Sequence, residues 1–217
     1  MCVRCSPVDA AVLIPIKAFH VAKARLAAAL DPTERERLAR WTAGCVLRAA
    51  APLPVVIACD DPAVAAWGAE HGARVLWQAG MGLNPAVDDA VATLAADGVA
   101  YVVVAHADLP LPDGLPRLAR PGTITLVPDR RDDGTNVMAF PTTAPLHASY
   151  GPGSFRRHLV AAFATADRHG LAVEVRRDPR LALDLDTPSD LDHPLLGGAL
   201  PSWLPTNRAN PTSRPQR

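Results

Sequence analysis

The run YVVVAHADLP, residues 101–110, decides the reading of the fold. Residues 101–105 are apolar without interruption, so the strand they predict is buried on both faces, as in a parallel sheet covered by helices. Asp108 follows at the carboxyl end of that strand. A carboxylate there costs free energy unless it is paired or bound to a metal. A hard oxygen ligand for Mg²⁺ is one use for it, and a turn is the other. His106 reads either as an acid–base group working near pH 7 or as an ordinary inward-facing histidine.

Outward from this strand, short apolar runs alternate with helical patterns. Strands are predicted at 12–16, 55–59 and 74–77 before it, and at 123–127, 137–140 and 172–175 after it. Asp31-Pro32-Thr33-Glu34 predicts a helix start, with Asp at the N-cap, Pro inside it and Glu placed to reach back. That helix runs to about Ala50. Asp61-Pro62 opens a second helix, ended by Gly72. Asn84-Pro85 opens a third, ended by Gly98. Ser154 caps a long one to about His169, and Pro188 starts the last. Strand–helix alternation at this spacing implies βαβ units: an α/β protein with a mostly parallel sheet and helices on both faces. Residues 1–10 read as a flexible tail, 11–200 as a single domain, and 201–217 as a Pro-, Asn- and Arg-rich disordered tail.

Ligands in such sheets sit beyond the carboxyl ends of the strands, so the loops there carry the functional reading. After the first strand come Lys17, Lys23 and Arg25. The chain has 22 basic residues, and Lys17 and Lys23 are its only lysines. Three cations on one loop read either as a polyphosphate environment or as a solvated basic loop, and the scarcity of lysine elsewhere favours the first. No Gly-rich Walker pattern is present. After the third strand, Gly80-Met81-Gly82-Leu83-Asn84 supplies glycines for close backbone approach to a ligand. Asn84 would cap its helix, read a nucleobase edge, or both. Asp184 and Asp186 fall on one face by strand alternation and could join Asp108 around a metal. Of the two, Asp184 is the better ligand; Asp186 or Thr187 would cap the helix at Pro188. Gly151-Pro152-Gly153-Ser154 at a helix start predicts an anion site, with Arg156, Arg157 and His158 on the first turn to reinforce it.

Composition bounds the rest. Acidic residues also number 22, so the formal charge is zero, and 49% of the 217 residues are hydrophobic. Zero net charge argues against general nucleic-acid or membrane-surface binding. No apolar run approaches the ~20 residues of a membrane span. A cytoplasmic location with reduced thiols is expected. Cys2 and Cys5 form a lone C-x-x-C without a second pair at zinc spacing.

IPIKAFHVAKARL (14–26), GMGLNPAVDDA (80–90), HADLP (106–110), DGTNVMAF (133–140), YGPGSFRRH (150–158) and LDLDTPSDL (183–191) occur in this order. In this the chain resembles the phosphoenolpyruvate / 2-phospho-L-lactate guanylyltransferases of coenzyme F-420 biosynthesis, over about residues 11–196. The resemblance implies the Rossmann-like nucleotidyltransferase fold. It implies Mg²⁺ at Asp108 and Asp184, GTP contacts along Lys17–Arg25 and Gly82–Asn84, and a phosphorylated acid held at Thr135, Gly151 and Ser154. His106 stands where that family more usually carries a small or apolar residue.

The expected reaction is attack by an acceptor phosphate oxygen on the α-phosphorus of GTP, with Lys17, Lys23 and Arg25 neutralising charge. Phosphoenolpyruvate, 2-phospho-L-lactate and 3-phosphoglycerate are the candidate acceptors. A molybdopterin-type nucleotidyltransferase, a sugar transferase using Asp184 and Asp186, and a silent nucleotide binder are the alternatives. The helices carry enough exposed apolar surface for a homodimer.

Overall fold

A computed structural model describes residues 9–204 of the chain. Its elements in order are β1 (Ala10–Pro15), α1 (Pro32–Ala49), β2 (Val55–Cys59), α2 (Pro62–Glu70), β3 (Arg74–Trp77), α3 (Leu83–Ala96), β4 (Tyr101–Ala105), β5 (Thr123–Pro128), β6 (Thr135–Pro141), α4 (Ser154–His169), β7 (Ala172–Val175) and α5 (Pro188–Leu191). Short 3-10 turns fill the connections. The predicted box at α1 is present: Asp31 accepts from the Glu34 amide, and Glu34 accepts from the Asp31 amide. Two of the orphan donors at that helix end are thereby satisfied, which fixes where α1 begins.

The seven strands form one sheet in the order β3-β2-β1-β4-β6-β5-β7. All run parallel except β6, which is antiparallel to β4 on one side and β5 on the other. Alternate side chains divide between two cores. Val12 and Ile14 pack with Ala43 and Val46 of α1 and Val64 of α2. Leu13 and Phe140 pack with Val87 and Leu94 of α3 and Ala162 of α4. Helices therefore cover both faces, and β4 is buried throughout, as its apolar run requires.

The order of the strands turns back between β1 and β4, which leaves a crevice at their carboxyl ends. The reversed β6 brings its own first residues, Thr135 and Asn136, to that same end: the His106 amide donates to the Asn136 carbonyl at 3.0 Å.

The disordered tail expected from residue 201 is packed over its first four residues. Leu204 is buried with Leu183, Leu185, Leu191 and Leu196, and the Arg37 guanidinium lies 4.3 Å over the Trp203 ring. An indole and a leucine give this stretch the apolar anchors that its proline-rich composition obscured. Residues 1–8, including Cys2 and Cys5, and residues 205–217 lie outside the described residues.

Candidate active site

Two adjoining cavities, about 310 and 370 Å³, open at the crevice and share Ile16, Lys17 and Leu83 in their walls. The first reaches Lys23, His106, Asp108 and Asp186. The second runs toward Asp60, Gln78, Gly80 and Gly82. The loop leaving β1 is anchored by Phe19, which is buried edge-on against Trp67 with Arg40 over its ring. From that anchor the chain turns back at Lys23, whose φ of 60° is left-handed. A non-glycine residue held there costs of order 1–3 kcal/mol and persists only where its surroundings fix it.

The Lys23 side chain, 6% exposed, supplies the fixing. Its ammonium donates to the Leu185 carbonyl at 2.7 Å and lies 3.3 Å from Asp108 Oδ2. Burial opposes the Asp108 charge, but Lys23 and His106 outweigh it and hold the carboxyl below its ordinary value. The other oxygen, Oδ1, is buried with no partner among the described residues. Burial, with the negative charges of Asp108, Asp186 and Asp190, pushes the Asp184 carboxyl up to about 7. Asp184, facing the charge of Asp108, is thus the carboxyl left short of positive charge.

The segment carrying Asp184 is not the strand whose alternation was expected to align it with Asp186; residues 182–187 form no helix or strand. Alternation of burial survives, with Leu183 and Leu185 in the core. Asp186 instead pairs with Arg25 at 2.8 Å on an exposed rim. The segment is held by Asp190 of α5, whose carboxylate takes the amides of Asp186 and Thr187 and the Thr187 hydroxyl and pairs with Arg130. Burial works against that charge, yet these partners keep the carboxyl below its ordinary range. Among the described residues no three His, Cys, Asp or Glu side chains stand together as a metal-binding group.

Gly80 and Gly82 both have positive φ, 67° and 73°, and an added Cβ would meet nothing within 4 Å at either. Glycine is required here by backbone conformation, and the space beside it is open. Gly82, not Asn84, occupies the N-cap of α3, and Asn84 lies inside the helix. Its amide is turned to Tyr150, accepting from the Tyr150 N–H at 2.8 Å and donating to its carbonyl at 3.4 Å. Asn84 therefore ties α3 to the loop before α4.

That loop, residues 149–153, leads to the expected acceptor positions. Ser154 is the first residue of α4 rather than its cap, because Gly153 holds the N-cap with φ 70°. Thr135 and Ser154 are 1% and 2% exposed, while Gly151 is exposed. None of the three lines the two cavities. A row of rings, His106 against Tyr150 and Tyr150 against His158, with centroids 4.7 and 5.1 Å apart, leads from the first cavity to Thr135, which contacts the His158 ring. The amides at the head of α4 are mostly engaged: Gly153 donates to Asp133 Oδ1, Ser154 to the Gly151 carbonyl and Phe155 to the Asp133 carbonyl. Arg157 does not face an anion there but folds back onto the carbonyls of Ser149 and Pro152. Arg156 is exposed, and His158 is completely buried. Burial, with the charge of Lys23, keeps His106 below the ordinary histidine value against the opposing pull of Asp108 and Asp186.

Tyr150 was missed as part of the site, and His158, expected to reinforce an anion site, is instead a buried side chain bonded to Ser149 and Thr135. His158 had a legible signal: Phe155, His158, Ala162 and Thr165 recur at helical spacing on the buried stripe of α4.

Residues 10–200 match the family described as "Guanylyl transferase CofC like". A phosphoenolpyruvate guanylyltransferase from Rubrobacter xylanophilus is 36% identical over 188 residues, covering 82% of this chain and 90% of that one. Another of the same description, from Sphaerobacter thermophilus, is 34% identical over 193 residues, covering 83% and 89%. Among solved structures, one described as a nucleotide-diphospho-sugar transferase from Desulfovibrio desulfuricans superimposes with a TM-score of 0.68 at 17% identity, covering 85% of each chain. A nucleotidyl transferase from Methanothermobacter gives 0.55 at 15% identity, covering 83% and 93%. The solved structures speak to the fold alone.

Proposed function

The chain belongs to the CofC-like guanylyl transferase family, and from that membership we propose that it transfers GMP from GTP to the phosphate of phosphoenolpyruvate. An acceptor phosphate oxygen attacks the α-phosphorus in line. The bond from that phosphorus to the β-phosphate oxygen breaks, and pyrophosphate leaves. A phosphate is already anionic at neutral pH, so no general base is needed. The difficulty is the meeting of two polyanions, so positioning and charge neutralisation carry the catalysis.

The observation that carries this reading is the crevice between β1 and β4, where Lys23 pairs with Asp108 and Lys17 lines the shared wall of two cavities of nucleotide size. Lys17, exposed on the shared wall, would neutralise triphosphate charge. The second cavity, with its open glycine backbone, accommodates the nucleoside end.

Mg²⁺ suits Asp108 and Asp184. Asp108 Oδ1 is buried with no partner among the described residues, and the Asp184 carboxyl is raised by burial and by its acidic neighbours. Magnesium is commonly held by one or two carboxylates together with substrate phosphates rather than by an all-protein cage. Bound at Asp108 and Asp184 it would supply charge neutralisation for the reacting phosphates. Arg25, paired with Asp186 at the rim, adds a cation within reach of the same loop. Thr135, Gly151 and Ser154 would hold the acceptor.

The test is identification of the product. With GTP, Mg²⁺ and each of phosphoenolpyruvate, 2-phospho-L-lactate and 3-phosphoglycerate, mass spectrometry should find the guanosine diphosphate ester of the enol acid. Product from another acceptor alone would correct the substrate. Product with none, from folded protein, would overturn the reading.

A further inference from the structure

His158 is a buried side chain that bonds both to Thr135 and to the start of the loop bearing Gly151. It is fully buried on α4, and its two ring nitrogens are both engaged. The Ser149 backbone amide lies 2.9 Å from Nε2, and Thr135 Oγ1 lies 2.9 Å from Nδ1. A backbone N–H can only donate, so Nε2 must present its lone pair. Burial, with the charges of Arg157 and His106, pulls the ring down to about 4 against the weaker pull of Asp88, so the imidazole is neutral at pH 7. A neutral ring with a bare Nε2 carries its hydrogen on Nδ1. The direction of the second contact follows: Nδ1–H donates and Thr135 Oγ1 accepts.

That direction decides what Thr135 can do. An anionic oxygen needs donors. Had the ring accepted from Thr135, the hydroxyl would turn a lone pair toward any anion. With the ring donating, the hydroxyl hydrogen is left for the ligand. The matter is sharpened by the head of α4, where the amides of Gly153, Ser154 and Phe155 already have carbonyl or carboxylate partners. Arg157 is likewise committed to Ser149 and Pro152. With those donors taken, the orientation of a hydroxyl carries more of the recognition. The Ser149 contact also pins the start of the loop bearing Gly151.

We propose that His158 is a positioning residue for the phosphorylated acceptor: its fixed Nδ1–H tautomer leaves the Thr135 hydroxyl hydrogen free to be donated and anchors the 149–153 loop. The inference rests on the reading that the acceptor meets Thr135.

Three substitutions and one spectrum test it. His158→Asn keeps a donor near the Nδ1 position. His158→Gln keeps an acceptor near the Nε2 position and loses that donor. His158→Phe keeps the shape and loses both. The expected result is a KM for phosphoenolpyruvate raised about tenfold or more in the Gln and Phe proteins. The KM for GTP should stay within about twofold, and Asn should restore most of the loss. A purely structural role would instead lower activity toward both substrates together. Independently, nitrogen-15 NMR of the unliganded protein should show His158 with Nδ1 protonated and Nε2 bare across neutral pH. An Nε2–H tautomer, or unchanged acceptor KM in Gln and Phe, would overturn the proposal. Absence of turnover in the wild-type protein with every acceptor would instead sink the functional reading, while the NMR result would still decide the hydrogen-bond direction. Should the Phe protein not fold, the Asn–Gln contrast and the spectrum decide it.

Discussion

Replacing Lys23 by methionine removes the charge and keeps most of the apolar stem, so it isolates what the ammonium contributes. In the folded chain Lys23 Nζ lies 3.3 Å from Asp108 Oδ2 and 2.7 Å from the Leu185 carbonyl. Removing one partner of a fully buried ion pair costs about 3–5 kcal/mol, because the other charge is left uncompensated. Here the lysine side chain is 6% exposed but the aspartate is 25% exposed, so water recovers part of that cost. The lost hydrogen bond to Leu185 adds about 1 kcal/mol. The left-handed backbone at position 23 is as unfavourable for Met as for Lys and cancels. The net expectation is a loss of roughly 2–4 kcal/mol, read as a fall in the urea midpoint at pH 7 with an unchanged slope. A double-mutant cycle with Asp108→Asn makes the test specific. Once the carboxylate is gone, Lys23→Met should cost less, with a coupling of about 1–3 kcal/mol. A single mutant within about 0.5 kcal/mol of wild type, or strict additivity in the cycle, would refute the reasoning.

Further expectations concern other parts of the chain. Asp108→Asn should lower the rate of pyrophosphate release by orders of magnitude while circular dichroism shows an intact fold; near-normal turnover would contradict the assignment of that carboxylate. His158, with a folded value of about 4 against 6.5 unfolded, binds its proton more readily in the unfolded chain. Its contribution is therefore complete above pH 6.5 and is lost as the pH falls toward 4, by on the order of 2–3 kcal/mol. Urea midpoints across that range should fall less in His158→Phe than in wild type. Gly134→Ala places a Cβ 2.8 Å from Asp129 Oδ2, an oxygen fixed by the Gly134 amide on a carboxylate that also takes the amides of Arg131 and Asp133. A loss of about 1–3 kcal/mol in thermal unfolding is expected, and no loss would show that the loop yields. Asp190→Ala should cost at least about 2 kcal/mol by stranding the Asp186 and Thr187 amides and Arg130, and should depress turnover through the displaced Asp184.

The elements that local chemistry determines were legible in the sequence. β2, β3, β4 and β7 fall at their expected residues because each is an apolar run bounded by turn or cap residues, and α1 begins where Asp31, Pro32 and Glu34 place it. The reversal of β6 was not legible. Nothing within residues 135–141 distinguishes an antiparallel strand from a parallel one, and its direction is set by pairing with β4, over thirty residues earlier. The same limit applies in the site. Loops beyond strand ends gave Lys23 and Asp108, which the fold does bring together. Asn84 suits a cap, a base reader or a loop tie equally well, and its choice depends on Tyr150, 66 residues away. Asp184 was read as the better ligand and Asp186 as a cap candidate, but the Arg25 pair that holds Asp186 at the rim lies 161 residues away in sequence and was not legible.

The central claim is transfer of the α-phosphorus with its guanosine to an acid phosphate. Turnover of GTP labelled either at the α- or at the γ-phosphorus, with phosphoenolpyruvate and Mg²⁺, tests it most directly. The account predicts α-label in a guanosine diphosphate ester of the acid and γ-label in pyrophosphate, both abolished by chelator. Gamma-label in inorganic phosphate, or α-label that never joins the acid, would contradict it.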